Sequence, residues 1–150
     1  ILRTSWVYGL HGGNFLKTML KLAQSKESLQ VVADQIGAPT SATLIAETSA
    51  RLLRTRPASG IYHLAAAGET SWYGYARHAI AHARARGLPM RLAADALRPI
   101  TSAEYPTPAR RPGNSRLDCT KLERALSIRL PDWQGAVVET VDVLLENESV

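Results

Sequence analysis

Four arginines crowd one proline-rich stretch: Arg98, Arg110, Arg111 and Arg116 all lie between Leu97 and Leu117, with Asn114 and Ser115 beside the last pair. A guanidinium offers a planar fork of donors that meets phosphate oxygens two at a time, and short polar side chains add further donors. Arg111, Asn114 and Ser115 therefore form a candidate diphosphate-binding set. The same residue types also suit a solvated basic loop whose surface ion pairs are worth little. Trp6 is the second candidate, at the carboxyl end of the expected strand 1–5. Ligands of α/β sheets bind at the carboxyl ends of strands, where an indole face can stack on a sugar or a base. Packed into a core, the same ring would serve only the fold.

Other constellations carry less. His78 and His82 have the i, i+4 spacing of zinc ligands, but position 79 is alanine and no third ligand stands near. They are expected on the solvent side of a helix, and no metal is expected. His63 sits in an apolar run and reads as a hydrogen-bonded core histidine rather than a base. No G-x-S-x-G elbow supports a serine nucleophile. Gly9, Gly12 and Gly13 fall between a strand and a helix, yet they miss the G-x-G-x-x-G spacing that lets backbone amides approach a pyrophosphate. No cofactor-binding residue is assigned within this sequence.

The chain around these residues has 150 positions, enough for one domain, with 45% hydrophobic and 21% charged residues. No apolar run reaches the ~20 residues of a membrane helix, so no membrane partner is expected. Cys119 is the single cysteine, which fits a reducing, cytoplasmic compartment. Fourteen arginines contribute to a net charge of +5, which favours anionic partners. They are scattered, and no helix-turn-helix or RNA-binding aromatic motif accompanies them, so nucleic acid is not an expected partner. The opening Ile1-Leu2-Arg3 has no Met and no signal-peptide pattern, so a piece of a longer polypeptide is expected.

Period and punctuation predict the elements that must hold the candidates. Strands are expected over 1–5, 29–33, 61–65 and 90–94. Helices are expected from Phe15, with Leu16, Met19 and Leu20 inward; from Thr40 or Ser41, with Leu44, Ile45, Thr48, Leu52 and Leu53 inward; and from Thr70 or Ser71, with Trp72, Tyr75, Ala76 and Ala79 inward, stopping at Gly87. Residues 34–40 read as a loop that Pro39 keeps from being helical. The prolines at 99, 106, 108 and 112 make 97–114 an extended, ordered loop. Asp118 can cap a short helix through Leu126. Pro131 suits the first turn of a last helix with Trp133, Val137, Val138, Val141, Leu144 and Leu145 inward. Strands alternating with helices mean an α/β architecture. So few short strands would need partners outside this chain.

An ordered set of motifs narrows the reading. Arg3-Thr4-Ser5-Trp6-Val7-Tyr8, Asn14-Phe15 with Lys17-Thr18-Met19-Leu20, Asp34-Gln35-Ile36-Gly37-Ala38-Pro39-Thr40, Gly60-Ile61-Tyr62-His63-Leu64, Tyr105-Pro106-Thr107-Pro108-Ala109 and Arg111-Pro112-Gly113-Asn114-Ser115-Arg116-Leu117 follow one another along nearly the whole chain. Together they resemble the carboxyl-terminal half of the dTDP-4-dehydrorhamnose reductases, within the extended short-chain dehydrogenase/reductase family. The resemblance implies the last sheet strands and the small substrate-binding α/β region of a Rossmann-like enzyme. It implies hydride transfer from NADPH or NADH to dTDP-4-dehydro-L-rhamnose, giving dTDP-L-rhamnose for bacterial surface polysaccharides. It assigns Trp6 to contact with the deoxysugar and places 111–115 toward the nucleotide-sugar side.

The family's Tyr-x-x-x-Lys pair does not occur here: Tyr8, Tyr62, Tyr73, Tyr75 and Tyr105 are followed four positions later by Gly12, Ala66, Arg77, Ala79 and Ala109. The pair and the cofactor turn belong to an amino-terminal half that precedes residue 1 in the family, so this chain alone is expected to be inactive. The resemblance also allows a homodimer of the full-length protein. Some relatives dimerise through metal-bridged carboxylates, but the aligned position is Thr43, which argues against a metal bridge. A reading from another class is a noncatalytic partner-binding module similar to the regulatory subunit of methionine adenosyltransferase.

Overall fold

Each helix begins where a short polar side chain can satisfy its first free amides, and the sites follow from that. The computed structural model describes residues 1–108 and 111–147. Strand β1 (Leu2–Thr4) and β2 (Val7–Tyr8) precede α1 (Phe15–Ser25), then β3 (Leu29–Val32), β4 (Ile36–Gly37) and β5 (Thr40–Ser41) lead into α2 (Ala42–Thr55). After these come β6 (Tyr62–Leu64), β7 (Thr70–Ser71), α3 (Trp72–Ala85), β8 (Leu97–Ile100), a 3₁₀ turn (Ser102–Glu104), α4 (Thr120–Leu126) and α5 (Trp133–Glu146). Asn14 Oδ1 accepts from Lys17 N, Ser41 Oγ from Leu44 N, Ser71 Oγ from Gly74 N and Asp132 Oδ1 from Gln134 N, each bond capping one helix.

The strands pair two by two: β1 with β6, β2 with β5 and β3 with β8 in parallel, and β4 with β7 antiparallel. Helix α3 lies between α1 and α5 and also packs on β3. Leu16 and Leu20 of α1, Tyr75, Ala76 and Ala79 of α3, Leu122 of α4, and Val137, Val141 and Leu144 of α5 fill the core behind the strands. No helix among the described residues is long and apolar enough to cross a membrane.

Three expectations need correction. Residues 90–94 form bends and turns, with Leu92 N donating to Ala23 O, and the strand falls instead at Leu97–Ile100 inside the proline-rich stretch. Pro99 is tolerated there because β8 has β3 as its single neighbour, and an edge strand can place the missing N–H away from its partner. Leu53 is 77% exposed; Leu44, Thr48 and Leu52 recur every four residues on the inner face of α2, and Leu53 lies ~100° further round. His78 and His82 are half-buried between α3 and α5 rather than on the solvent side: His82 Nε2 lies 2.8 Å from Asp142 Oδ1, and His78 Nε2 lies 3.4 Å from Gln134 O. The Asp142 carboxylate and the Gln134 backbone carbonyl of α5 supply partners that the periodicity of α3 alone does not reveal.

Candidate functional site

Trp6 sits in the break between β1 and β2, with a left-handed φ of 51° that a bulky side chain rarely adopts. Its carbonyl accepts from Thr40 N at 3.1 Å, which ties this turn to β5. The indole is half-buried and stacks on Trp72, the first residue of α3, with centroids 3.8 Å apart and planes 15° from parallel. Its other face rests on Gly37 of β4: a Cβ there would stand 2.6 Å from Trp6 Cε2 and 2.9 Å from Cζ2. Glycine is required because the backbone is the wall. Phe15, at the start of α1, tilts against Trp72 with 4.6 Å between centroids, and Tyr75 closes the cluster from below.

A chain of polar bonds fixes Trp72 from the opposite side. Its Nε1 donates to Gln35 Oε1 at 3.1 Å, and Gln35 Nε2 donates to Ser102 Oγ at 2.9 Å. Ser102 in turn donates its hydroxyl to Asp34 Oδ1 at 2.6 Å and its amide to the same carboxylate. Those two bonds, the hydroxyl one first, hold the exposed Asp34 carboxyl below its usual range. Gln35 is 8% exposed, and both ends of its amide are used. A buried amide so paired has one orientation open to it.

Trp72, Gln35 and Phe15 form part of the wall of a groove of about 440 Å³, completed by Met19, Leu22, Val31, Tyr105, Thr107 and Arg111. Arg111 is exposed, and no carboxylate among the described residues pairs with it. An apolar, aromatic floor with an unpaired guanidinium at its rim suits a ligand with a flat or ring-shaped part joined to an anion. The other predicted site residues are placed differently. Asn114 Oδ1 accepts from both the backbone N and the Nε of Arg116, whose Nη1 reaches Glu69 Oε2 at 2.7 Å. Ser115 is tied by its backbone: its amide donates to Ile36 O, and its carbonyl accepts from Ser5 Oγ, next to Trp6. Arg98 is exposed on β8 with Gln30 as its ladder partner, and Arg110 lies outside the described residues.

Two buried hydroxyls stand behind the aromatic cluster. The Tyr8 and Tyr75 rings lie 5.8 Å apart, and neither hydroxyl has a hydrogen-bond partner among the described residues. The Thr140 hydroxyl near Tyr8 lowers its pKa somewhat but donates to Ala136 O; burial dominates and pushes Tyr8 up to about 12 and Tyr75 higher still. Burial likewise raises the Cys119 thiol, whose Sγ accepts from Ala65 N at 3.2 Å. None of the three is poised as an acid or a nucleophile near neutral pH. Among the described residues, no group of three or more His, Cys, Asp or Glu is placed to hold a metal ion.

The family model described as the RmlD substrate binding domain matches residues 1–146. The chain belongs to this family. It is 45% identical to the dTDP-4-dehydrorhamnose reductase of Escherichia coli K12, across 100% of this chain and 51% of that protein. It is 41% identical to the spore coat polysaccharide biosynthesis protein SpsK of Bacillus subtilis, across 93% of this chain and 45% of that protein. The crystal structure of the Bacillus anthracis dTDP-4-dehydrorhamnose reductase in complex with NADP superposes with a TM-score of 0.84 at 30% identity, covering 95% of this chain and 47% of that one. The dTDP-glucose 4,6-dehydratase of the same organism, at 13% identity and a TM-score of 0.74, shares the fold. The α/β architecture is that of an extended short-chain dehydrogenase/reductase, and the chain spans about half the length of the curated relatives it matches.

In this RmlD substrate-binding domain the start of α1 uses Asn14 Oδ1 on the Lys17 amide and Lys17 Nζ on the Leu10 carbonyl, so that amide is not bare for a pyrophosphate. Period and punctuation put Trp72 on a helix's inner face and Gln35 in a loop; neither reveals the tertiary pairing of β4 with β7, which lays Trp72 over Trp6. The signal available was a tryptophan directly after the capping Ser71.

Proposed function

We propose that the chain is the substrate-binding portion of a dTDP-4-dehydrorhamnose reductase, which reduces dTDP-4-dehydro-L-rhamnose to dTDP-L-rhamnose with NADPH or NADH. The observation that carries it is the groove in which the Trp72 ring, backed by Trp6, shares one wall with Arg111, whose guanidinium meets no carboxylate among the described residues. The aromatic pair and the apolar floor suit the deoxysugar and thymidine rings, and the guanidinium suits the diphosphate. Asn114 acts through Arg116 and Ser115 through the backbone, shaping the loop that carries Arg111.

The division of labour follows from what the groove contains. This chain binds, orients and desolvates the nucleotide sugar, which brings the keto carbon into reach of hydride and proton donors. The nicotinamide cofactor supplies the hydride when bound, and it is held by the amino-terminal half of the reductase, as is the proton donor. In this reading the enzyme works in the cytoplasm, where nucleotide sugars are made. The full-length protein is a homodimer without a bridging metal, and neither nucleic acid nor membrane is a partner.

Titration calorimetry with dTDP tests the reading. Arg111→Ala is expected to weaken binding about tenfold or more, as loss of a charge-assisted contact does. Equal affinity of this variant and the parent would remove Arg111 from the site. The 150-residue chain mixed with NADPH and dTDP-4-dehydro-L-rhamnose is expected to give no cofactor oxidation; turnover would overturn the division of labour.

A further inference from the structure

We propose that Gln35 and Trp6 are positioning residues of this site, acting through Trp72, the indole that lines the groove: Gln35 locks its Nε1 and Trp6 backs its face. The inference rests on the nucleotide-sugar reading and adds roles that the motif resemblance does not assign.

Three observations converge. Trp6 is held in a left-handed backbone conformation at the break between two strands. Its ring is confined by a slot one indole wide, with Gly37 backbone on one side and Trp72 on the other. Of these walls, Gly37 is fixed by its ladder with Thr70, whereas Trp72 is a side chain that needs its own restraint. The bond from Trp72 Nε1 to Gln35 Oε1 supplies it, and Gln35 is restrained in turn by Ser102 and Asp34. Ser102 begins the turn that follows β8 and leads to Tyr105 on the groove wall. The indole pair and this turn are therefore set by one hydrogen-bonded relay. Breaking it frees the rings without removing any group that touches the reacting carbon.

The test uses the complete polypeptide that carries this chain, with NADPH and dTDP-4-dehydro-L-rhamnose, and reads kcat and KM separately. Two stacked indoles also couple their transitions, so far-ultraviolet circular dichroism reports the stack directly. Trp72→Ala is expected to abolish the couplet and raise KM about three- to tenfold, the range one aromatic pair contributes, with kcat little changed. Trp72→Phe keeps a ring against Trp6 and is expected to recover most of the affinity. Gln35→Met keeps both indoles but removes the lock; a weaker couplet and a raised KM are expected, and this variant remains informative if Trp72→Ala does not fold. Unchanged couplet and KM in Gln35→Met would overturn the proposal, as would equal losses in Trp72→Ala and Trp72→Phe. Trp6→Ala separates the layers. A raised KM in Trp72→Ala with none in the Trp6 and Gln35 variants sinks the positioning roles alone. An unchanged KM in Trp72→Ala sinks both the roles and the site reading.

Discussion

Replacing Gly37 with alanine perturbs the slot at one atom. The glycine does not have a positive φ, so alanine meets no backbone strain, and the whole effect falls on packing. The new Cβ would lie 2.6 Å from Trp6 Cε2, 2.9 Å from Cζ2 and 3.0 Å from Cδ2. Restoring ordinary carbon contact distances requires a displacement of about 1 Å. The indole cannot yield by that much along its normal, because Trp72 stands 3.8 Å behind it. Either the pair slides out of register or β4 separates from β7. Overpacking of this kind costs about 1–3 kcal/mol. For a domain of this size each kcal/mol lowers the melting temperature by about 2–4 °C, so the expected drop is about 2–12 °C. Thermal melting and circular dichroism of Gly37→Ala measure both consequences. A melting temperature within about 1 °C of the parent, with an unaltered indole couplet, would refute the slot geometry.

Other perturbations test separate layers of the structure. Ser71→Ala removes the cap of the helix that begins with Trp72; a loss of about 1 kcal/mol and a melting temperature about 2–4 °C lower are expected in a thermal scan. Tyr75→Phe removes a buried hydroxyl without a partner, so chemical denaturation is expected to show equal or greater stability, and a loss above about 1 kcal/mol would mean the hydroxyl is bonded. Asp142 accepts from His82, which with the Arg86 charge keeps its carboxyl below the usual range. Its contribution is therefore present above the unfolded value of about 4 and is lost as pH falls through the lower folded value. Asp142→Asn should flatten the acid limb of a stability-against-pH curve below about pH 4, and an unchanged limb would remove this pair from the balance.

Much of the frame could be read from the residues, because helices announce themselves by period and caps. Ser41 and Ser71 stand at the starts of α2 and α3, as their types suggest, and Asn14 and Asp132 cap the remaining long helices. The short strands were harder. Two-residue ladders such as β4 with β7 have too few residues to show alternation, and their pairing is decided by partners far along the chain. Pro99 hid β8, since a proline excludes a central strand but not an edge one.

The candidate site was legible in its chemistry and not in its geometry. Arg111 and Trp6 were marked by residue type, and the fold brings Arg111 to a groove whose aromatic wall Trp6 supports from behind. Asn114 and Arg116 carried the same signal of polar density, yet they serve each other and Glu69. Sequence cannot separate an arginine that is paired from one that is free when the partner lies some fifty positions away. Trp72 and Gln35 were hidden for the complementary reason: their roles come from contacts across the β4–β7 ladder, not from spacing within one element.

The most direct measurement follows the three indole N–H resonances of ¹⁵N-labelled protein as dTDP is added. Trp72 and Trp6 sit in and behind the wall of the groove, whereas Trp133, packed on His78 and Tyr75, does not line it and serves as the comparison. The account predicts saturable shifts of the Trp72 and Trp6 signals, together with the Arg111 and Gln35 amides, while Trp133 stays in place. Shifts confined to Trp133, or no saturable shift at either groove indole, would contradict it.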